Sequence, residues 1–433
     1  MIPHFRLLML IAMLGFMLPA CSKDTGVPDA GNPDADGGTD QDPCELALPE
    51  WEKIWKITTE SSGLEGRTPD INLIDVWGFG PDDIYVVGFA GSILHYDGDE
   101  WVLMETTTTE NLEGVWGYVL HDPTTGEESR REVFAVGSNG TILKLREGTW
   151  TVVPVFNDPD PANPDPQPVT DTFHDVWGIP APGPDTATQH PTVIAVGGRG
   201  LIAEYDGATS QFFEMRQRVE FTDSEGEVHV NYERWTPERL GGVFGSAPDD
   251  FVAVGNNGAI LEFDGTSWNR NVITGFITHL NGAWGRGGWQ IFAVGNEGTI
   301  MQRSGGAWED LKALAEQQGG FIQISAAAYL RSSWGFYQAK CGELPDGGVD
   351  PDDRQDTSWQ IFIGWDNKIY LFHDRTICPF GDFDVSRVEG IWGNQPRDES
   401  ERTYDGGIEC DQVEVIITGV NGKIYRLINE NGQ

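Results

Sequence analysis

Short apolar runs recur along the chain, and each ends at a glycine. Ile84 to Val87 runs into Gly88, Val133 to Val136 into Gly137, Val193 to Val196 into Gly197, Phe251 to Val254 into Gly255 and Ile291 to Val294 into Gly295. A second turn residue follows three places later in seven copies, at Gly88/Gly91, Gly137/Gly140, Gly197/Gly200, Gly255/Gly258, Gly295/Gly298, Gly364/Asn367 and Gly419/Gly422. An isoleucine stands two places beyond it each time, from Ile93 to Ile424. Upstream of every run sits an aromatic–glycine pair: Trp77-Gly78, Trp116-Gly117, Trp177-Gly178, Phe244-Gly245, Trp284-Gly285, Trp334-Gly335 and Trp392-Gly393. Short apolar runs bounded by glycine, without helical spacing, predict strands.

Each copy predicts four of them. Strand A ends at the aromatic–glycine pair, strand B is the run into the first glycine, strand C continues from the isoleucine, and strand D starts near Trp101, Trp150, Trp268 and Trp308. Gly-x-x-Gly is expected to be the tight B–C turn, because glycine or asparagine suits a positive φ. Pro81-Asp82-Asp83 and Pro248-Asp249-Asp250 predict A–B turns. Four antiparallel strands in each of seven copies predict an all-β, seven-bladed β-propeller. One aromatic per blade (Trp77, Trp116, Trp177, Phe244, Trp284, Trp334, Trp392) is expected to fill the wedge between neighbours, with no room for a side chain at the glycine after it. The interval between strand-B glycines runs from 40 residues (Gly255 to Gly295) to 69 (Gly295 to Gly364), too uneven for a solenoid.

The seventh copy stops soon after its strand C, at Ile424 to Leu427, with no C-terminal chain left for an outer strand. Trp51 to Thr58 precedes the first copy and has strand D character. It is therefore expected to pair beside Lys423 to Leu427 and close the ring.

The repeat resembles the glycine-rich Trp-Gly repeats of secreted bacterial propeller lipoproteins, and more distantly the Asp-box and photosystem-assembly-factor type of propeller, over residues 73 to 427. That resemblance implies the fold and no activity; the Asp-box pattern itself is not matched.

Residues 1–20 read as an export signal. The apolar run Leu7 to Leu18 is shorter than the roughly 20 residues a membrane span needs. Leu18-Pro19-Ala20-Cys21 resembles the lipobox of bacterial lipoproteins. The resemblance implies cleavage before Cys21, acylation (palmitate) of that residue and, with Ser22 next, an outer-membrane lipoprotein facing the periplasm or the outside. Residues 21–45 hold almost no apolar side chain and predict a disordered acidic tether; 46–433 are assigned to the propeller.

Composition narrows the partners. Against 28 Lys+Arg stand 68 Asp+Glu, a formal charge of −40, which argues against nucleic acid. No cofactor motif is present: Gly197-Gly198-Arg199-Gly200 leads into a strand, so it lacks the helix N-terminus of a phosphate cradle. Calcium is the cofactor alternative. Asp34, Asp36 and Asp40 miss the EF-hand spacing, and the acids of blade six (Asp346, Asp350, Asp352, Asp353, Asp356) chiefly predict a solvated face. With Cys21 acylated, Cys44, Cys341, Cys378 and Cys410 remain, an even set that reads as two disulfides in an exported chain. Of the three pairings, Cys341–Cys378 is preferred, pinning the blade-six insertion to the turn beyond strand C, with Cys44–Cys410 near the closure.

No catalytic motif emerges, and the histidines are dispersed. The long connections are D–A at Pro154–Asp171 and Met215–Arg239, and A–B at Val119–Arg131, Ile179–Pro191, Phe336–Ser358 and Asn394–Asp411. Propeller sites lie on such loops. In and beside the second D–A connection, Phe212, Phe213, Phe221, Tyr232 and Trp235 stand among Arg216, Arg218, Glu220 and Glu227, a candidate binding rim or a satellite hairpin. The expectation is a lipid-anchored, non-catalytic binding scaffold for a protein or glycan; the alternatives are an exported glycan-acting hydrolase or lyase and an envelope assembly factor. A channel cluster of carboxylates with Arg or His would favour the enzyme, and an aromatic rim patch would favour binding.

Overall fold

The computed structural model describes residues 55–63, 71–121, 125, 127–157, 166–181, 190–285, 288, 290–317, 320–337, 358–364, 368–373, 376–382, 387–393 and 414–429. The export signal, Cys21, the whole 21–45 tether with Asp34, Asp36, Asp40 and Cys44, the blade-six acids Asp346, Asp350, Asp352, Asp353 and Asp356, Cys341 and Cys410 lie outside them.

Seven antiparallel sheets form the blades of a propeller. Blade 1 is built from Leu73–Gly80, Asp83–Gly88, Ile93–Tyr96 and Trp101–Leu103, hydrogen-bonded in that order. Its strand B is buried on both faces, and the alternation of the pleat sends its side chains to two different seams. Tyr85 and Val87 pack with Leu112, Val133 and Ala135 of blade 2, whereas Ile84 and Val86 pack with Trp392, Ile416 and Ile424 of blade 7. A continuous apolar run is what a strand covered on both faces requires.

The B–C turn corrects one detail. Only the second half of Gly-x-x-Gly takes positive φ: Ala90 (φ 56°) and Gly91 (φ 68°) are the central residues, closed by Ser92 N–H donating to the Phe89 carbonyl at 3.2 Å. That is the primed geometry that favours Asn-Gly, and three other copies carry it as Asn139-Gly140, Asn257-Gly258 and Asn421-Gly422. The first glycine, Gly88, is extended; a Cβ there would lie 2.3 Å from the Asn72 carbonyl oxygen. Close approach, not handedness, requires it.

Closure follows the expected logic; residues 51–54 of the expected strand lie outside the described residues, and the described strand runs on to Glu60. Trp55–Glu60 pairs antiparallel with Ile424–Asn429, from Trp55 opposite Asn429 to Glu60 opposite Ile424, and completes blade 7. Blades 3 and 6 each gain an unexpected fifth strand from the preceding D–A connection, Val155–Phe156 and Phe321–Ile322, parallel to strand D. The connection expected at Val119–Arg131 is mostly ladder, because Val119, Leu120 and His121 pair with Arg131, Arg130 and Glu128. Cys378 is fully buried within strand D of blade 6 (Thr376–Asp382), not in the turn beyond strand C.

Candidate binding rim

B–C turns and D–A connections share one rim: the N–H groups of Gly140, Gly258 and Gly298 donate to the carbonyls of Asp171, Thr278 and Ala328. From that rim, between blades 3 and 4, a separate two-stranded hairpin is formed by Gln217–Thr222 and Val228–Glu233. Its strands are rich in β-formers. The Asp223 carboxylate accepts from the N–H groups of Glu225 (2.9 Å) and Glu227 (3.0 Å), and Gly226 supplies the positive φ. The pairing puts Val228, Val230 and Tyr232 on one face, opposite Thr222, Glu220 and Arg218. Their exposures are 64%, 44% and 57%, so this is an uncovered apolar stripe. On the other face Phe221 stacks on His229 at 5.2 Å.

The hairpin's base borders a cleft of about 640 Å³ lined by Arg199, Arg216, Tyr232, Glu233, Arg234 and Thr236. Arg234 is structural: it donates to Glu214 at 2.6 Å, to Asp171 at 2.8 Å and to the Arg199 carbonyl at 3.2 Å. Burial opposes the charge on Asp171, but the hydrogen bonds from Arg234 and Arg199 outweigh it and hold the carboxyl below its usual range.

At the centre, strand A carries a repeated irregularity. Its pairing with strand B skips one residue in blades 1 to 6, between Leu112 and Gly114, Phe173 and Asp175, and Leu330 and Ser332, for example, and passes from Val388 to Ile391 in blade 7. Bulges re-aim side chains, and the bulged column reads Ile74, Glu113, His174, Gly241, Asn281, Arg331 and, in blade 7, Glu389. Glu113 meets His174 at 2.6 Å, and Glu389 takes Arg331 at 3.6 Å and Arg387 at 3.4 Å. Next to this column, Asp75 accepts from Val115 N–H (2.9 Å) and Asp175 from Val243 N–H (2.8 Å), each tying its blade to the following one. Burial raises the pKa of both carboxyls; the backbone hydrogen bonds offset it only in part, and each lies within the field of Arg331. Burial likewise lowers the pKa of His174, which the Glu113 contact only partly restores.

The predicted rim aromatics separate. Phe212 is fully buried in the core of blades 2 and 3 and so is no part of a surface. Phe213 lies near Phe156 at 6.3 Å, and Trp235 packs against the seam of blades 3 and 4. Phe221 (51% exposed) and Tyr232 alone stand on the free hairpin. The repeat aromatics also divide. Trp116, Phe244, Trp334 and Trp392 lie over Gly178, Gly285, Gly393 and Gly78 of the next blade, where a Cβ would fall 2.5–2.7 Å from the ring. Trp284 stands 6.5 Å from Trp334. Trp77 and Trp177 meet each other at 5.4 Å, although blade 2 separates their blades, so both reach into the channel. The channel charges are the residues that the loop-centred sequence reading misses. Among the described residues no group of three or more His, Cys, Asp or Glu is placed to hold a metal.

No protein-family model matches the chain. A stretch of 103 residues, 24% of this chain, is 29% identical to the protein called immune protein Tsi7 of Pseudomonas aeruginosa, and spans only 30% of that relative's length. Among solved structures, virginiamycin B lyase from Staphylococcus aureus superposes with a TM-score of 0.52 at 10% identity, over 86% of this chain and 99% of that one. The WD40 propeller domain of Doa1 gives 0.49 at 8% identity over 87% and 98%, and YCF48 bound to D1 peptide 0.48 at 11% over 87% and 96%. At such identities the likeness is one of fold: this chain is a seven-bladed β-propeller.

Proposed function

We propose that the chain is an envelope-anchored, non-catalytic binding scaffold whose rim hairpin docks a protein partner. The observation that carries this reading is the hairpin itself. An isolated two-stranded sheet is marginal in water, yet this one exposes Val228, Val230 and Tyr232 in one stripe and, among the described residues, joins the sheet of no blade. Among the described residues no strand pairs with either of its outer edges, the geometry of strand addition. A chain of charge −40 repels a second copy of itself and favours a cationic partner.

The placement belongs to the same proposal: acylation at Cys21 holds the body at the outer membrane by way of the 21–45 tether. Two disulfides suit that compartment. Cys378, whose sulfur is disulfide-bonded, supports one of them, with Cys341 as the proposed partner and Cys44–Cys410 as the second bridge. The test is capture from detergent-solubilised envelopes with the anchored chain, alongside a variant carrying Val228→Thr, Val230→Thr and Tyr232→Ser. A partner recovered by the native chain and lost with the variant supports the reading; equal recovery by both overturns it.

A second reading, an exported glycan hydrolase, is favoured by the channel, where Asp75, Glu113, Asp175 and Glu389 stand among His174 and Arg331. Carboxyls of raised pKa suit acid catalysis. Against it, Asp75 and Asp175 are both engaged by backbone N–H groups of the next blade. Turnover of a polysaccharide panel, abolished by Asp175→Asn in a folded chain, would establish it.

A further inference from the structure

In a radial array, side chains of non-adjacent blades meet only in the central channel, and one such meeting leaves a cation without a counter-ion. Arg239 enters strand A of blade 4, and its Nη1 lies over Gly241, 2.7 Å from where a Cβ would stand. Gly241 brings no side chain to the bulged column, and the guanidinium of Arg239, from the same blade, occupies that place. Arg331 holds the equivalent place of the column in blade 6, across blade 5, and its like charge acts on Arg239. The carboxylates nearby are already engaged: Glu113 by His174, Glu389 by Arg331 and Arg387, Asp75 and Asp175 by backbone N–H groups. Among the described residues Arg239 has no hydrogen bond or ion pair to any carboxylate. Burial, then the like charge of Arg331, lowers its pKa, while Glu113, Tyr329 and Asp175 compensate only in part. Holding a half-buried guanidinium beside another cation is costly unless an anion completes the set.

We propose that the channel mouth between Arg239 and Arg331 binds a carboxylate group of a ligand. A guanidinium fork matches the two oxygens of a carboxylate, and the rim position makes the mouth accessible from the face that carries the hairpin. This inference stands apart from the hairpin's role and holds whether or not a protein docks there. The carboxylate could come from an acidic sugar or from a peptide C-terminus, and the test separates them.

The full chain in detergent is titrated calorimetrically with glucuronic acid and with N-acetylalanine, against glucose and N-acetylalaninamide as uncharged counterparts. The expected result is a preference of at least about tenfold for an acid over its neutral counterpart, the scale of one charge-assisted pair. Arg239→Gln is expected to abolish that preference and Arg239→Lys to retain part of it. The acid bound more tightly assigns the source. Equal binding of acid and neutral probes, no binding of either acid, or a folded Arg239→Gln chain that keeps the preference overturns the proposal.

Discussion

Trp101, in the outer strand of blade 1, donates its indole N–H to Glu60 at 2.8 Å, and Glu60 lies in the segment that completes blade 7. The same carboxylate is ion-paired with Arg426, whose guanidinium lies 5.1 Å from the Tyr96 ring centre. One residue thus joins the strand that closes the ring to the blades on both sides of the seam. Glu60→Ala is expected to destabilise the fold by about 1–3 kcal/mol, since it takes a partner from the half-buried Trp101 indole N–H and leaves Arg426, among the described carboxylates, with Glu414 alone. In a double-mutant cycle with Trp101→Phe, followed by urea unfolding, the two changes should be non-additive by about 0.5–1.5 kcal/mol.

The seam chemistry predicts a second effect, at the glycine of the inner pair. Gly78 faces Trp392, and a Cβ there would lie 2.7 Å from the ring. Trp392 is itself buried, with little room to move. Gly78→Ala should therefore cost about 1–3 kcal/mol, and Gly80→Ala, where the space is open, much less. Urea midpoints of the two variants check the contrast.

Ser333 offers the opposite sign. Its hydroxyl is buried without a hydrogen-bond partner among the described residues. The matching position is Val76, Val115, Val176, Val243 and Ile391 in five other blades. Ser333→Val should stabilise the chain by about 1 kcal/mol, because it removes an unsatisfied polar group from an apolar site. Chemical unfolding at neutral pH reads this directly.

Asp75 and Asp175 give the fold a pH dependence. Burial raises them from the unfolded value of 3.8 to about 6 and about 8. The folded chain thus favours the protonated carboxyls. Their contribution is complete below pH 4 and is lost as pH rises through the two folded values. Asp175→Asn keeps an acceptor for the Val243 N–H and cannot ionise. Between pH 5 and pH 9 the native chain should lose more stability than this variant, as measured by urea midpoints at each pH.

Much of this architecture is legible in the chain because its signal is repeated. The aromatic–glycine pair and Gly-x-x-Gly recur where backbone and ring approach too closely for a side chain, and packing of that kind leaves the same letters in every copy. Non-repeated features are less visible. Val155–Phe156 and Phe321–Ile322 are two residues each, too short for any periodicity to show. Phe212 and Phe213 are neighbours in one strand, so the pleat sends them to opposite faces; that rule alone places one of the pair inside. The channel column was also available: Glu113, His174, Arg331 and Glu389 each follow the apolar residue that opens strand A. Polar residues interrupting a strand otherwise buried on both faces mark the one place where a blade meets the channel. What the repeat does not encode is which of these charges lacks a partner, because that depends on side chains brought together from blades far apart in sequence.

Ring closure is the claim on which rim, channel and hairpin all depend, and backbone amide hydrogen exchange tests it most directly. Slow exchange is predicted for the paired amides of 55–60 and 424–429; deletion of residues 46–60 should remove protection from the amides of 424–429 that face the closing strand, while those bonded to 414–418 keep theirs. Exchange of 55–60 at the rate of a free peptide, while the rest of blade 7 stays protected, would contradict the closed ring.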